Sequence, residues 1–277
     1  MLVTLNEVLR DAQKKHYAVG LFNTVNLEMA QGVICAAEEL CAPVIIGTAE
    51  ILLPCASLEE LAPLLSDMAK RAKVPVVLHF DHGLSIEKVR RAMDLGFSSV
   101  MYDCSALSFE ENCRETAELT RAAHAAGITV EAELGHVGSA ETPEGDQSIY
   151  TNPENAAVFA ERTQVDALAV AIGTAHGTYQ AKPQLNIGLL KQIAQTVDVP
   201  LVLHGGSGLS DEDFQNCIQN GIAKVNIFTD INQAAADAAY TAYQKGLGMT
   251  ELMPKIKNAV AKATKEKMKI FGCAGRA

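Results

Sequence analysis

No apolar run in this sequence reaches the roughly 18 residues that a membrane-spanning helix needs, so no such span is expected. The stretch Met1 to Arg10 has neither a basic leader nor a long apolar segment, which argues against a secretory signal. Cationic charge is in short supply. Lys and Arg number 23 against 33 Asp and Glu, a formal charge of −10, and that balance speaks against nucleic acid or an anionic membrane as a partner. A phosphorylated small molecule stays open, because backbone N–H groups hold phosphate without net basic charge. The seven cysteines, at 35, 41, 55, 104, 113, 217 and 273, are odd in number and never in Cys-x-x-Cys spacing. A disulfide framework and a thiolate metal site are therefore disfavoured, and a reducing, cytoplasmic setting is expected. No Gly-x-Gly-x-x-Gly follows the first expected strand, which weakens a dinucleotide-binding reading. No linker, composition shift or short repeat divides the chain, so residues 1–277 are expected to form one domain.

What is present is enough apolar material for one large core: 48% of the residues are hydrophobic and the mean hydropathy is +0.09. Short apolar runs alternate with helical periodicity. Strands are expected at Tyr17–Phe22, Pro43–Gly47, Val74–Phe80, Ser98–Tyr102, Ile128–Leu134, Asp166–Gly173, Pro200–Leu203 and Ile222–Ile227. A helix is expected first over Val3–Lys15, and one follows every strand, among them Leu58–Ala72 behind a Ser57 cap with Glu60 at the capping-box position. A basic amphipathic helix, about Pro254 to Ile270, ends the chain. Eight βα units in this length point to an α/β fold, a (β/α)8 TIM barrel with a C-terminal helical extension. An open eight-stranded sheet is the structural rival. The rhythm breaks once, over Gly135–Asn152, a stretch rich in Gly, Ser, Thr, Pro and acids; unstructured loops of this length are functional or disordered.

Polar residues gather where the strands end. His79, Asp81 and His82 close the third expected strand, with His79 and Asp81 on one face and Phe80 on the other. His176 follows the sixth strand and His204 ends the seventh, and His136 sits in the long loop; only His16 and His124 fall elsewhere. Barrel active sites lie at the carboxyl ends of strands, so a capping role for each histidine explains the pattern poorly. His82, His176 and His204 with an open position form a catalytic zinc pattern; cobalt or iron(II) also fits such ligands. Asp81 is the natural proton carrier beside them. Gly205-Gly206-Ser207-Gly208, after the seventh strand, reads as a phosphate loop or as a tight βα turn, and its position favours the first. Asn226 and Thr229 can add donors. Glu141 in the long loop enters the site if that loop closes, or is a solvated acid. Asp103 and Glu133 read as acids behind the ligands, as a second metal position, or as an ion-pair network at the mouth. The tail Gly275-Arg276-Ala277 docks on a neighbouring subunit or frays.

The motifs Phe22-Asn23-Thr24, His79-Phe80-Asp81-His82, Glu131-Ala132-Glu133-Leu134-Gly135, Leu168 to Gly177, Leu203 to Gly208 and Lys224-Val225-Asn226-Ile227 together resemble the class II, metal-dependent fructose/tagatose-bisphosphate aldolases, closest to the tagatose-type branch, from Leu5 to the C-terminus. The resemblance implies a zinc enzyme that reversibly cleaves a ketose 1-phosphate or 1,6-bisphosphate to dihydroxyacetone phosphate and an aldehyde. It implies His82, His176 and His204 as zinc ligands, and Asp81 as the group exchanging a proton with the C4 hydroxyl. Glu141 would handle the C3 proton. Asn23 would bind substrate, and Gly177, Gly205, Gly206, Ser207, Asn226, Ile227, Phe228 and Thr229 would hold the ketone's phosphate. Asp103 and Glu133 match a second metal position. A monovalent cation near the phosphate loop and a homodimer or homotetramer are further implied.

Two positions depart from the family pattern. Phe228 stands where fructose-type members have Asp and tagatose-type members a small residue. Asn232 stands where a distal phosphate usually meets Arg or Lys, and losing a cation there removes a strong phosphate partner. The expected substrate therefore has an unphosphorylated, or larger and less charged, distal end. Two other functions remain in play: a metal-dependent hydrolase on the same barrel, and a sugar-phosphate-binding homologue without turnover.

Overall fold

A computed structural model of the protein describes residues 1–135, 150–175, 177 and 183–277. The chain opens with β1 (Leu2–Val3) and α1 (Leu5–Lys15), and then alternates: β2 (Val19–Asn23), α2 (Leu27–Glu39), β3 (Val44–Ala49), α3 (Leu58–Arg71), β4 (Val76–Gly83) and α4 (Ile86–Asp94). It continues with β5 (Ser99–Tyr102), α5 (Phe109–Ala125), β6 (Thr129–Leu134), α6 (Pro153–Thr163), β7 (Ala167–Val170), α7 (Ile187–Thr196), β8 (Leu201–Leu203), α8 (Asp211–Gln219), β9 (Ile222–Ile227), α9 (Thr229–Gln244) and α10 (Met249–Ile270). Strands β2 to β9 pair in parallel in chain order, and β9 returns to pair with β2, so the sheet closes as an eight-stranded barrel. Closure rules out the open-sheet rival. Among the described residues no helix is long and apolar enough to cross a membrane.

Local chemistry sets the element ends. Ser57, Ser108 and Ser210 each accept from a backbone N–H three residues on, while Glu60, Glu111 and Asp213 reach back to the cap. Gly96 and Gly127 leave α4 and α5 at φ of +88° and +74°, where a side chain would be strained. All β2–β9 strand residues other than Tyr102 and His82 are buried, with the helices covering the outer face of the barrel. Gly32 in α2 lets α10 approach closely, since a Cβ there would run into the Lys257 carbonyl and Val260.

Four expectations need correction. The first helix does not start at Val3. Leu2 and Val3 pair with Val76 and Val77 as a ninth strand, on the edge of β4 that β5 joins only from His79 onward. Extended Thr4 then starts α1 through a capping box with Glu7. The third barrel strand does not stop at Phe80 but runs through Asp81, His82 and Gly83. The final helix starts at Met249, with Pro254 inside its second turn, where the missing N–H removes one i→i−4 hydrogen bond. The C-terminal tail docks on its own chain: Gly275 and Ala277 donate to the Leu40 and Cys41 carbonyls, and the Arg276 guanidinium lies 5.3 Å from the Tyr17 ring centre.

Candidate active site

The barrel interior narrows to a polar layer near the carboxyl ends of its strands. On β4, His79 and Asp81 face inward, while Phe80 packs outward, edge-on to Phe97. Strict alternation would send His82 outward with Phe80. It does not go there. The β4–β5 register slips between Phe80 and Gly83, and His82 takes a φ of +44°, a left-handed conformation rare for a residue with a side chain. Its ring thereby comes round to the mouth, with its centre 4.4 Å from that of His204. Such a conformation costs on the order of 1–3 kcal/mol and persists where surrounding structure enforces it, most often at functional sites.

The imidazoles of His82 and His204 are each held by a carboxylate. His82 Nδ1 donates to Asp103 Oδ2 at 3.1 Å, and His204 Nδ1 donates to Glu133 Oε2 at 2.9 Å. His204 Nε2 is also 2.9 Å from Glu131 Oε1. Burial disfavours a charged His204, but Glu131 and Glu133 outweigh it and raise its pKa to about 10. Lys224, fully buried, completes the layer: its ammonium lies 2.8 Å from Glu131 Oε2 and donates to Asn226 Oδ1 at 2.7 Å. His79 is the neutral member. Burial first, and then Lys224, lower its pKa to about 4, and its Nδ1 lies 2.8 Å from the Ser99 hydroxyl.

Asp81 is fixed from both sides. Asn23 Nδ2 donates to its Oδ2 at 2.7 Å and Asn226 Nδ2 to its Oδ1 at 3.0 Å. Burial alone would raise its pKa, yet the cationic surroundings of His82, Lys224 and His204 hold the carboxyl well below the usual carboxylate range. Asp81 and His82 open into a cavity of about 480 Å³. Asn23, Gly177, Gly205, Gly206 and Ser207 line it, and so do Asn226, Ile227, Phe228 and Thr229. Every residue expected to touch substrate on β2, β9 and the described loops is thus brought to one space.

Two of these features suit an anion. At Gly205, with φ of +65°, a Cβ would run into the Ala175 carbonyl, so the loop is built for close backbone approach. Helix α9 starts behind Phe228, which offers no side-chain cap, so its first N–H groups have no side-chain acceptor from that residue.

His176, Glu141 and His136 lie outside the described residues. Asp103 and Glu133 stand behind the imidazoles and do not line the cavity. Asn232 is exposed one turn into α9 and does not line it either, whereas Phe228 does. Sequence reasoning missed Ala49, the last residue of β3, and Ile51, Leu52 and Leu84 in the loops after β3 and β4, all of which line the cavity. It also gave no role to Lys224; the signal was its i,i+2 spacing from Asn226, which puts both on the inner face of β9.

The donor set fits a metal ion. Asp81, His82 and His204 each offer a ligand atom within 4.8 Å of the others, as do His82, Asp103 and Glu133. Imidazoles whose Nδ1–H is taken by a carboxylate are oriented to ligate through Nε2. At His204 a metal on Nε2 would replace the hydrogen bond to Glu131.

Comparison with known proteins agrees along the whole chain. A profile of the family described as fructose-bisphosphate aldolase class-II matches residues 3–276. YdjI of Escherichia coli strain K12 is 44% identical over 279 residues, with all of both chains covered. The crystal structure of the YdjI aldolase has a TM-score of 0.92 to this chain at 43% identity, again over all of both chains. A fructose-bisphosphate aldolase of Thermus caldophilus is 40% identical over 311 residues and is likewise covered in full.

Proposed function

Because this chain belongs to the class II fructose-bisphosphate aldolase family and is a lyase of that kind, we propose that it reversibly cleaves a ketose 1-phosphate to dihydroxyacetone phosphate and an aldehyde, with zinc as cofactor. The observation that carries this reading is Asp81, held by Asn23 and Asn226 in the same cavity as His82 and the glycine loop. His82, His176 and His204 would hold the zinc, which when bound supplies Lewis-acid polarisation of the substrate ketone.

The protein's own groups do the rest. Asp81 takes the proton of the C4 hydroxyl as the C3–C4 bond breaks, and returns it when the bond forms. Two amide donors fix both its oxygens, so the carboxylate meets the hydroxyl without reorganising. Asn23 Oδ1 is buried with no hydrogen-bond partner among the described residues, and accepts from a substrate hydroxyl. Gly205 to Ser207 and the start of α9 bind the phosphate of the dihydroxyacetone half through backbone N–H groups. Asp103 and Glu133 orient the two histidines in preference to forming a second metal position. Glu141 is the group we assign to the C3 proton. Phe228 lines the cavity, which supports a substrate whose distal end is not phosphorylated.

The test is a coupled dehydrogenase assay for dihydroxyacetone phosphate release from fructose and tagatose 1,6-bisphosphates and a panel of ketose 1-phosphates, with and without a chelator. Chelator-sensitive release from the monophosphates is expected. Efficient cleavage of a bisphosphate would remove the claim about the distal end, and no release from any substrate would remove the aldolase reading.

A further inference from the structure

The cavity has two unlike sides. Loops after β7 and β8 supply Gly177 and Gly205 to Ser207; loops after β3 and β4 supply Ile51, Leu52 and Leu84. In a ring of eight strands paired in chain order, β3 stands opposite β7 and β4 opposite β8. The apolar loops therefore face the glycine loops across the mouth, with Asp81 and His82 between them. A substrate anchored by its phosphate on the glycine side, with its reacting bond at Asp81, carries its remaining carbons toward Ile51, Leu52 and Leu84. Phe228, after β9, lines the same cavity from the strand beside β8, on the glycine side.

That wall is apolar and open. Ile51 is 79% exposed and Leu84 63%, so among the described residues they present hydrocarbon that nothing covers. Among the described residues the ionisable side chains lining the cavity are Asp81 and His82, and no Lys or Arg lines it. The nearby Lys88 ammonium is engaged by Glu50 at 2.9 Å. Among the described residues a phosphate on this side would meet the hydrocarbon of Ile51, Leu52 and Leu84.

The wall is also pinned. Glu50 opens the turn that carries Ile51 and Leu52, and its carboxylate reaches across to the loop after β4. Its Oε2 accepts from the Leu84 N–H at 2.7 Å and the Ser85 N–H at 3.0 Å. The Glu50 side chain is only 10% exposed. Ser85 is the N-cap residue of α4, and Glu50, from another loop, accepts its backbone N–H, the contact a capping-box acid would otherwise make. One carboxylate thus joins the two loops next to the residues that form the wall, through charge-assisted hydrogen bonds.

We infer that Ile51, Leu52 and Leu84 form the subsite for the aldehyde half of the substrate, that this subsite selects an unphosphorylated, largely aliphatic or deoxygenated chain, and that Glu50 is the positioning residue that holds its two loops in register. The inference rests on the aldolase reading and narrows its substrate class.

The experiment runs the zinc-loaded protein in the synthetic direction, with dihydroxyacetone phosphate and glycolaldehyde, glyceraldehyde, butanal or glyceraldehyde 3-phosphate. For the wild-type chain, KM for butanal is expected to be at least about tenfold below that for glyceraldehyde 3-phosphate, in the range that apolar pocket contacts discriminate. The double variant Ile51→Ser/Leu84→Ser is expected to raise KM for butanal about tenfold more than KM for glycolaldehyde, which is too short to reach the wall. Glu50→Ala is expected to raise KM for butanal with a smaller change in kcat, and Glu50→Gln, which keeps an acceptor for the two N–H groups, to restore it. A preference for glyceraldehyde 3-phosphate overturns the subsite. So does a double variant that shifts all aldehydes alike and splits an oligomer in sedimentation, because the wall would then be covered by a second copy. A Glu50→Ala variant that loses kcat and is not restored by glutamine overturns the positioning role. No condensation with any aldehyde, glycolaldehyde included, overturns the aldolase reading and this inference with it.

Discussion

Replacing Lys224 with methionine removes an ammonium that has no exposure to solvent. Its neighbour Glu131 is equally buried, and burial by itself would push that carboxyl toward neutrality; Lys224 and His204 outweigh it and keep the group ionised. Breaking a buried pair by deleting one partner costs about 3–5 kcal/mol, mostly because the other charge is stranded. Glu131 still has His204 Nε2 at 2.9 Å after the change, so the lower end, about 3 kcal/mol, is expected. Unfolding entropy near 2.1 cal/mol/K per residue over this 277-residue chain converts that to a fall in Tm of about 5 °C. Scanning calorimetry of metal-stripped protein measures it.

A companion variant separates stranded charge from lost packing. Lys224→Met/Glu131→Gln removes both charges and keeps the shape, so at least half of the lost Tm is expected to return. Activity gives an independent reading. Lys224 donates to Asn226 Oδ1 at 2.7 Å, and that contact fixes which way the Asn226 amide points, hence whether its Nδ2 meets Asp81. The single variant is therefore expected to lose kcat as well as stability. A Tm within about 1 °C of wild type, or a double variant no better than the single one, would refute the picture of a dry, charge-paired interior.

Asp81→Asn is expected to keep the fold and lower kcat by about 10²–10⁴, the range for losing a positioned acid–base group; an aldol assay with circular dichroism checks both. Asp103→Asn leaves the His82 ring in place but weakens its orientation, and zinc affinity measured by chelator competition is expected to fall about 10–100-fold. Gly205→Ala drives a Cβ into the Ala175 carbonyl at a backbone conformation alanine resists, so KM for dihydroxyacetone phosphate in the condensation assay is expected to rise more than kcat falls.

The barrel was legible because its signals are local: apolar runs of strand length, Ser caps answered three residues on by Glu or Asp, and glycine stops. The gathering of His79, His82 and His204 at strand ends was legible for the same reason, since strand ends can be counted along a chain. What was not legible depends on contacts between distant strands. Parity alone sends His82 outward with Phe80; only the slipped β4–β5 register and its positive φ bring it to the mouth. The carboxylates behind His82 and His204 come from positions 21 and 71 residues away, so Asp103 and Glu133 stood as isolated acids with several readings open. The distal end of the site shows the difference most clearly. Sequence comparison rested that argument partly on Asn232, a missing cation, yet Asn232 does not line the cavity. Ile51 and Leu84 carry it better, although single exposed hydrophobic residues in loops draw no attention by themselves. Their meaning comes from ring closure, which sets the loops after β3 and β4 across from the glycine loops, and from Glu50, whose side chain ties together backbone 34 and 35 residues further along. A negative argument from one absent charge thereby becomes a positive one from a built apolar surface. The two separate experimentally: restoring a cation by Asn232→Arg is expected to do little for a phosphorylated aldehyde, whereas opening the wall at Leu84 is expected to change aldehyde selectivity.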